Sequence, residues 1–193
     1  MENINDHLGI PNTNLVPQVG RLLISTPYFN DLFFNRSVVL LTDADNEGSS
    51  GLIINKQLPF SVHKMTQDIR VEDGCYFGGP VLQEAIFLLH NYSNSKTSSS
   101  IIEGVNIGYD QKLLSIIEHH AIANLKYKFF VGYSGWSPGQ LEDEILRGMW
   151  VVSECSSSII FNTPSDRIWS LAVERLGEQF SHWLYLPRMI SYN

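Results

Sequence analysis

Cysteine is scarce in this chain: two among 193 residues, Cys75 and Cys155, with neither a CxxC spacing nor a histidine cluster beside them. That excludes a zinc ribbon or a disulfide scaffold, and it reads as reduced structural thiols in a cytoplasmic protein, although one disulfide remains open in principle. Long apolar runs are absent too. Val38–Leu41 and Ile86–Leu89 stop at about four residues, far short of the roughly 20 that span a bilayer, so no membrane association is expected. The first six residues, Met1 to Asp6, carry neither a basic nor an apolar region, which excludes a secretory signal there. Positive charge is in short supply, with Lys plus Arg 13 against Asp plus Glu 20 and a net charge of −7. Broad electrostatic binding to nucleic acid or anionic lipid is therefore disfavoured. What is present is 44% hydrophobic, 11% aromatic and 17% charged, the profile of a globular chain long enough to bury about 70% of its unfolded surface without staples.

Residues 1–19 are polar, with Pro11 and Pro17, and read as an N-terminal arm; residues 20–193 read as a single domain. Leu22–Ile24, Ser37–Thr42 and Gly51–Asn55 are β-branched and aliphatic, hence strands, and the polar stretch 43–50 reads as a hairpin loop. A short helix is expected after Ser61, on Val62, Met65 and Ile69. Cys75–Phe77, Ala85–His90, Ile101–Ile107 and Tyr127–Val131 read as further strands, as do Trp150–Val152 and Ile159–Phe161. Asp110 is a cap for a helix with Leu113, Leu114 and Ile117 on one face. Pro138–Arg147 and a segment opening at Thr163-Pro164 read as helices, the latter ending at Gly177. Strands cluster early without regular βα alternation, which points to an α+β fold.

The segment Gly132–Glu142 reads as a junction from strand into helix, a place where a nucleophile elbow or phosphate loop could sit. The elbow spacing fails because Gly135 follows Ser134 directly, and the segment has no lysine for a Walker loop. The residues instead spell a helix start: Ser137 as cap, Pro138 first, and Gln140 reaching back in an S-x-x-Q box, with Asp143 and Arg147 paired four apart. Gly78-Gly79-Pro80 reads as a tight turn. The six histidines form no metal-ligand spacing, and His90, at the end of an apolar strand, reads as a hydrogen-bonded core residue. Glu142 and Glu144 read as a solvated helix face, and the four tryptophans as core. No catalytic residue, no metal site and no cofactor is assigned.

Three groups of segments together carry a resemblance. The first is Gly20–Pro27 with Phe34–Leu41 and Glu47–Asn55; the second is Phe77–Val81 with Phe87–His90; the third is Gly132–Glu142 with Gly148 and Trp150. In order and spacing the chain resembles the AlgH/YqgE-like family of bacterial proteins, over about residues 20–177. The resemblance implies a compact α+β fold of coiled, mixed β-sheets with peripheral helices, and a label of transcriptional regulator with no agreed catalytic residues. Family members often have His where Ala44 stands and Arg-Pro where Lys56-Gln57 stands, so no role for an imidazole or a guanidinium carries over there.

Two functions follow from this reading. The first is a non-enzymatic, transcription-related regulatory protein acting through a protein partner, with direct DNA binding disfavoured by charge. The alternative is a binder of a small anionic ligand, or an enzyme, using a pocket between the Gly78–Pro80 turn and the Gly132–Gln140 loop. Its expected lining is Arg36, Ser37, Asn55, Gly78, Gly79, Ser134, Gly135 and Gln140, where strand ends and a helix start leave backbone N–H groups free.

Overall fold

In the computed structural model, the described residues are 15–66 and 68–187. Most of the expected N-terminal arm lies outside them; of its last residues, Val16 and Val19 are exposed, and Leu15 packs on the core.

The fold is α+β, built on a ten-stranded mixed sheet. Strand β1 (Leu22–Ser25) lies antiparallel between β2 (Val38–Asp45) and β10 (Trp150–Ser153), and β2 continues antiparallel into β3 (Gly48–Ile53). The long strand β9 (Tyr127–Trp136) joins the two halves of the sheet. Its end, Ser134–Trp136, pairs antiparallel with β3. Its start is flanked on one side by β5 (Gly74–Phe77), the parallel neighbour, and on the other by β6 (Val81–His90), antiparallel. Strand β4 (Gln57–Ser61) hangs on β5, while β7 (Ser99–Ile102) and β8 (Val105–Ile107) extend from β6. The sheet coils far enough to bring Ile101 and Ile102 of β7 against Gly20, just before β1.

The early strands are buried on both faces, which is why they read as continuous apolar runs instead of alternating. Leu22, Ile24, Val38, Leu40, Leu52 and Ile54 face one cluster with α3 (Ser157–Phe161), α4 (Ser165–Glu174) and the 3₁₀ run Glu178–Tyr185. Leu23, Val39, Leu41 and Ile53 face the other side with Trp136, Trp150 and Leu141 of α2 (Gln140–Leu146). In β9 the same period of two sends Phe130 to the first cluster and Phe129 to a third, under α1 (Gln111–Glu118). Asp110 caps α1 by accepting from Leu113 N at 2.8 Å. Among the described residues no helix is long and apolar enough to cross a membrane.

Several local expectations are corrected. Stretch 43–50 is not a loop: β2 runs to Asp45 and β3 starts at Gly48, because Ser49 and Ser50 gain Trp136 and Gly135 as pairing partners. Residues 101–107 divide into β7 and β8 at a turn where Gly104 takes φ 73°. Segment 132–136 is still strand, and the helix starts two residues later than expected, at Gln140, after Gly139 at φ 77°. Ile159–Phe161 belongs to a helix; a short apolar run does not distinguish the two periods. The helix after Ser61 is one 3₁₀ turn, and β4 was hidden by Pro59.

A glycine crossing, a carboxylate clasp and an acidic cleft

The two glycine turns do meet in space, backbone on backbone. Gly78 N donates to Val131 O at 2.8 Å, and Gly78 O accepts from Ile53 N at 2.9 Å and from Ser134 Oγ at 3.1 Å. A Cβ on Gly78 would come within 3.0 Å of Gly132 O, and one on Gly79 would meet the Tyr133–Ser134 peptide equally closely. Gly132 returns the constraint, with φ +68° and Gly79 O against its missing side chain. Glycine is required here because two backbones cross with nothing between them. Gly78, Gly79 and Ser134 are buried in that crossing, and none of them lines the neighbouring cleft.

Arg36, Ser37 and Asn55 lie elsewhere. Asn55 Oδ1 accepts from Val38 N and its Nδ2 donates to Arg36 O, both at 2.9 Å, so the amide acts as a strand extension for β2. Ser37 is buried; its backbone N donates to Ser25 Oγ at 2.8 Å and its hydroxyl donates to Phe33 O. The Arg36 guanidinium lies 4.8 Å over the Trp169 ring and donates to Leu186 O, which ties the C-terminal 3₁₀ run to β2. Arg36 and Asn55 line a cavity of ≈ 550 Å³ together with Lys56, Asp166, Arg167 and Glu174. Gly135 is not part of it.

Gln140 serves a clasp. Its Oε1 accepts from Ser137 N at 3.1 Å, which is one half of the expected capping box, and its Nε2 donates to Glu144 Oε1 at 2.9 Å. Glu144 Oε2 accepts from two indoles, Trp136 Nε1 at 2.8 Å and Trp150 Nε1 at 2.7 Å. Glu144 is therefore half-buried structure, not a solvated face, whereas Glu142 is exposed as expected. The Asp143–Arg147 ion pair forms on the outer side at 2.6 Å.

Gly135 lines a different feature, an open cleft of ≈ 590 Å³ between the β2–β3 hairpin and residues 133–138, with Val81 at its side. Its polar rim is Thr42, Asp43, Asp45, Glu47, Ser49 and Ser50; its apolar wall is Tyr133 against Phe87, edge to face at 5.9 Å, with Trp136. Asp43 and Asp45 are exposed on one side of β2, two apart as the pleat requires, and Asp45 Oδ1 fixes the hairpin by accepting from Glu47 N at 2.7 Å. None of the lining residues is basic. A pocket does exist beside the Gly132–Gln140 segment, then, but three carboxylates repel an anion there, against the anionic ligand expected from sequence. Among the described residues no three of His, Cys, Asp and Glu come together to hold a metal ion, so these carboxylates are spread along the rim.

His90 and the two cysteines are held quiet. His90 is fully buried; its Nδ1 accepts from Tyr92 N at 3.1 Å and its Nε2 lies 2.9 Å from Ser98 Oγ. Burial lowers its pKa, so the neutral ring is favoured. Both cysteines are free, and burial raises both thiols, Cys155 to about 12, which makes them poor nucleophiles.

A profile for the AlgH-like family (DUF179) matches residues 22–181. The chain belongs to the AlgH-like family. Its relatives include UPF0301 proteins of Bacteroides thetaiotaomicron, 34% identical with 98% of each chain covered, and of Chlamydia muridarum, 35% identical with 90% of this chain and 94% of the relative covered. Among solved structures it is similar to the AlgH protein of Pseudomonas aeruginosa (TM-score 0.68, 25% identity, 87% of this chain and 93% of that one). A Corynebacterium diphtheriae protein shares the fold (TM-score 0.73, 20% identity, 88% and 92%). In AlgH-like terms, the Gly132–Glu142 segment does three jobs in this chain: it closes the glycine crossing, forms one wall of the cleft and leads into the Glu144 clasp. Sequence reasoning missed Glu144 and the carboxylates of the cleft. The Asp43-x-Asp45 alternation was the available signal, and it was lost once the stretch was read as loop.

Proposed function

We propose that this AlgH-like chain is a cytoplasmic, non-enzymatic regulatory protein that acts through a protein partner, and that its acidic cleft receives a basic segment of that partner. The observation that carries the reading is the cleft itself: ≈ 590 Å³, rimmed by Asp43, Asp45 and Glu47, with Tyr133, Phe87 and Trp136 as its apolar wall. Carboxylates along a rim suit guanidinium or ammonium groups spaced along a peptide. An aromatic wall suits the aliphatic stems and the planar Arg head. The net charge of −7 adds long-range steering of a cationic partner and repels duplex DNA. An influence on transcription is then exerted at one remove, by occupying a partner and not by reading bases. A small cationic ligand in the same cleft is the second reading, favoured over an anionic one by the same carboxylates.

A fluorescent Arg/Lys-containing nonapeptide, titrated by anisotropy at about 0.1 M salt, where the Debye length is near 10 Å, tests this. The triple variant Asp43→Asn, Asp45→Asn, Glu47→Gln should weaken binding by roughly tenfold or more, equivalent to about 1.4 kcal/mol. Equal affinity for the variant and the parent would remove the cleft from the account.

A further inference from the structure

Strand β9 presents a second chemistry on its opposite half. Lys128 shares a face with Phe130, by the period of two, and its Nζ lies 4.4 Å from the centroid of the Tyr76 ring. The side chain lines a cavity of ≈ 580 Å³ with Gln57, Tyr76, Asn162, Thr163, Ser165 and Asp166, the last a carboxylate on the same wall; none of these also lines the acidic cleft. Lys126, two residues earlier, is exposed and donates to Asn162 Oδ1 at 2.7 Å. The Lys128 side chain forms no ion pair and no hydrogen bond among the described residues; its neighbour is the π face of a tyrosine. Desolvation lowers its pKa to about 8, so about a tenth of the amine is neutral at pH 7, far more than for an ordinary lysine.

We propose that Lys128 is a nucleophilic amine that captures a small polar aldehyde or ketone in this cavity as an imine. The step balances without a redox partner. The ammonium gives one proton to water, and the nitrogen lone pair forms a C–N bond to the carbonyl carbon. The carbonyl π pair moves to oxygen, and the proton that the now cationic nitrogen gives up passes through water to that oxygen, giving the neutral carbinolamine. Loss of water then leaves C=N, for a net change of amine plus carbonyl to imine plus water. The protonated imine keeps its positive charge over the Tyr76 ring, so the cation–π contact survives capture. The Ser165 hydroxyl and the Gln57 amide offer hydrogen bonds to a hydroxylated carbonyl compound, while Asn162 and Thr163 are already engaged with Lys126 and Ser158 and shape the wall. This site is independent of the cleft and of any partner bound there.

The test uses the six lysines of the chain as their own controls. The whole protein is incubated with glyceraldehyde and cyanoborohydride, and adducts are quantified residue by residue by peptide mass mapping. Lys128 should be labelled at least about tenfold faster than the other five at pH 7, from its larger neutral fraction. Its rate should level off above pH 8 while theirs continue to rise, and it should saturate with glyceraldehyde concentration. Labelling of Lys128 at or below the rate of the others overturns the nucleophile, and a strictly linear concentration dependence overturns the binding cavity. Lys128→Arg should abolish the fast adduct alone; a fast adduct that persists in that variant assigns the reactivity elsewhere. The mapping on the parent protein decides the matter even where the variant folds poorly.

Discussion

Removing the Glu144 carboxylate is the sharpest perturbation this architecture offers. Glu144→Ala leaves the Trp136 and Trp150 indole N–H groups, in side chains 6% and 1% exposed, without their acceptor, and frees the Gln140 amide. An orphaned buried donor costs about 1–3 kcal/mol, and bonds to a charged acceptor lie at the upper end. With two donors and partial water access at a half-buried position, the loss should be about 3–5 kcal/mol, or a Tm lower by about 10 °C at this chain length. Glu144→Gln keeps one oxygen for both indoles but sets its NH₂ against the Gln140 donor, so about 1–2 kcal/mol is expected. The assay is urea unfolding followed by tryptophan emission, with near-ultraviolet circular dichroism reporting the edge-to-face Trp136–Trp150 pair, 5.9 Å apart. Glu144→Ala within about 1 kcal/mol of the parent would refute the clasp, because water would then be satisfying both indoles.

The glycine crossing predicts a contrast. Gly132→Ala, at φ +68° with Gly79 O in the way, should cost about 2–4 kcal/mol from backbone strain and overpacking, whereas Gly139→Ala, at φ +77° with nothing within 4 Å, should cost only about 1 kcal/mol; equal thermal shifts would contradict it. His90 predicts a pH dependence: its folded pKa is lowered by burial, so the native state binds fewer protons than the unfolded chain and stability rises with pH. That contribution is present above about pH 6.5 and is lost as pH falls below it, by at most about 1.4 kcal/mol per pH unit. Urea midpoints between pH 7.5 and 5.5 should therefore fall less steeply in His90→Asn than in the parent, and parallel slopes would contradict the assignment.

The early strands were legible because burial on both faces writes itself as unbroken aliphatic sequence, as in Leu22–Ile24 and Val38–Leu41. The α1 cap at Asp110 and the hydrogen-bonded core role of His90 were legible because each depends on local chemistry. Features that depend on a distant strand were not. Ser49 and Ser50 look like loop until β9 offers them partners, and Pro59 conceals β4 because its missing donor is tolerated where β4 has one neighbour only. Glu144 sits among Glu142 and Asp143 like any solvated acid; nothing local reveals that Trp136 and Trp150 close over it. Net charge showed an acidic chain, yet it could not show that Asp43, Asp45 and Glu47 share one rim. Whether the glycine motifs converge or each serves its own turn was not legible in the sequence; they do converge, and the same lack of side chains that lets two backbones cross leaves no room there for a ligand.

The proposal that the acidic cleft receives a basic segment is tested most directly by amide chemical-shift mapping of the ¹⁵N-labelled protein during titration with the basic nonapeptide. The account predicts shifts concentrated at residues 42–50 and 133–138, saturating together, with the Arg36–Trp169 cavity unmoved. Shifts that cluster instead around Arg36, Lys56 and Arg167, or that spread evenly over the acidic surface, would contradict it.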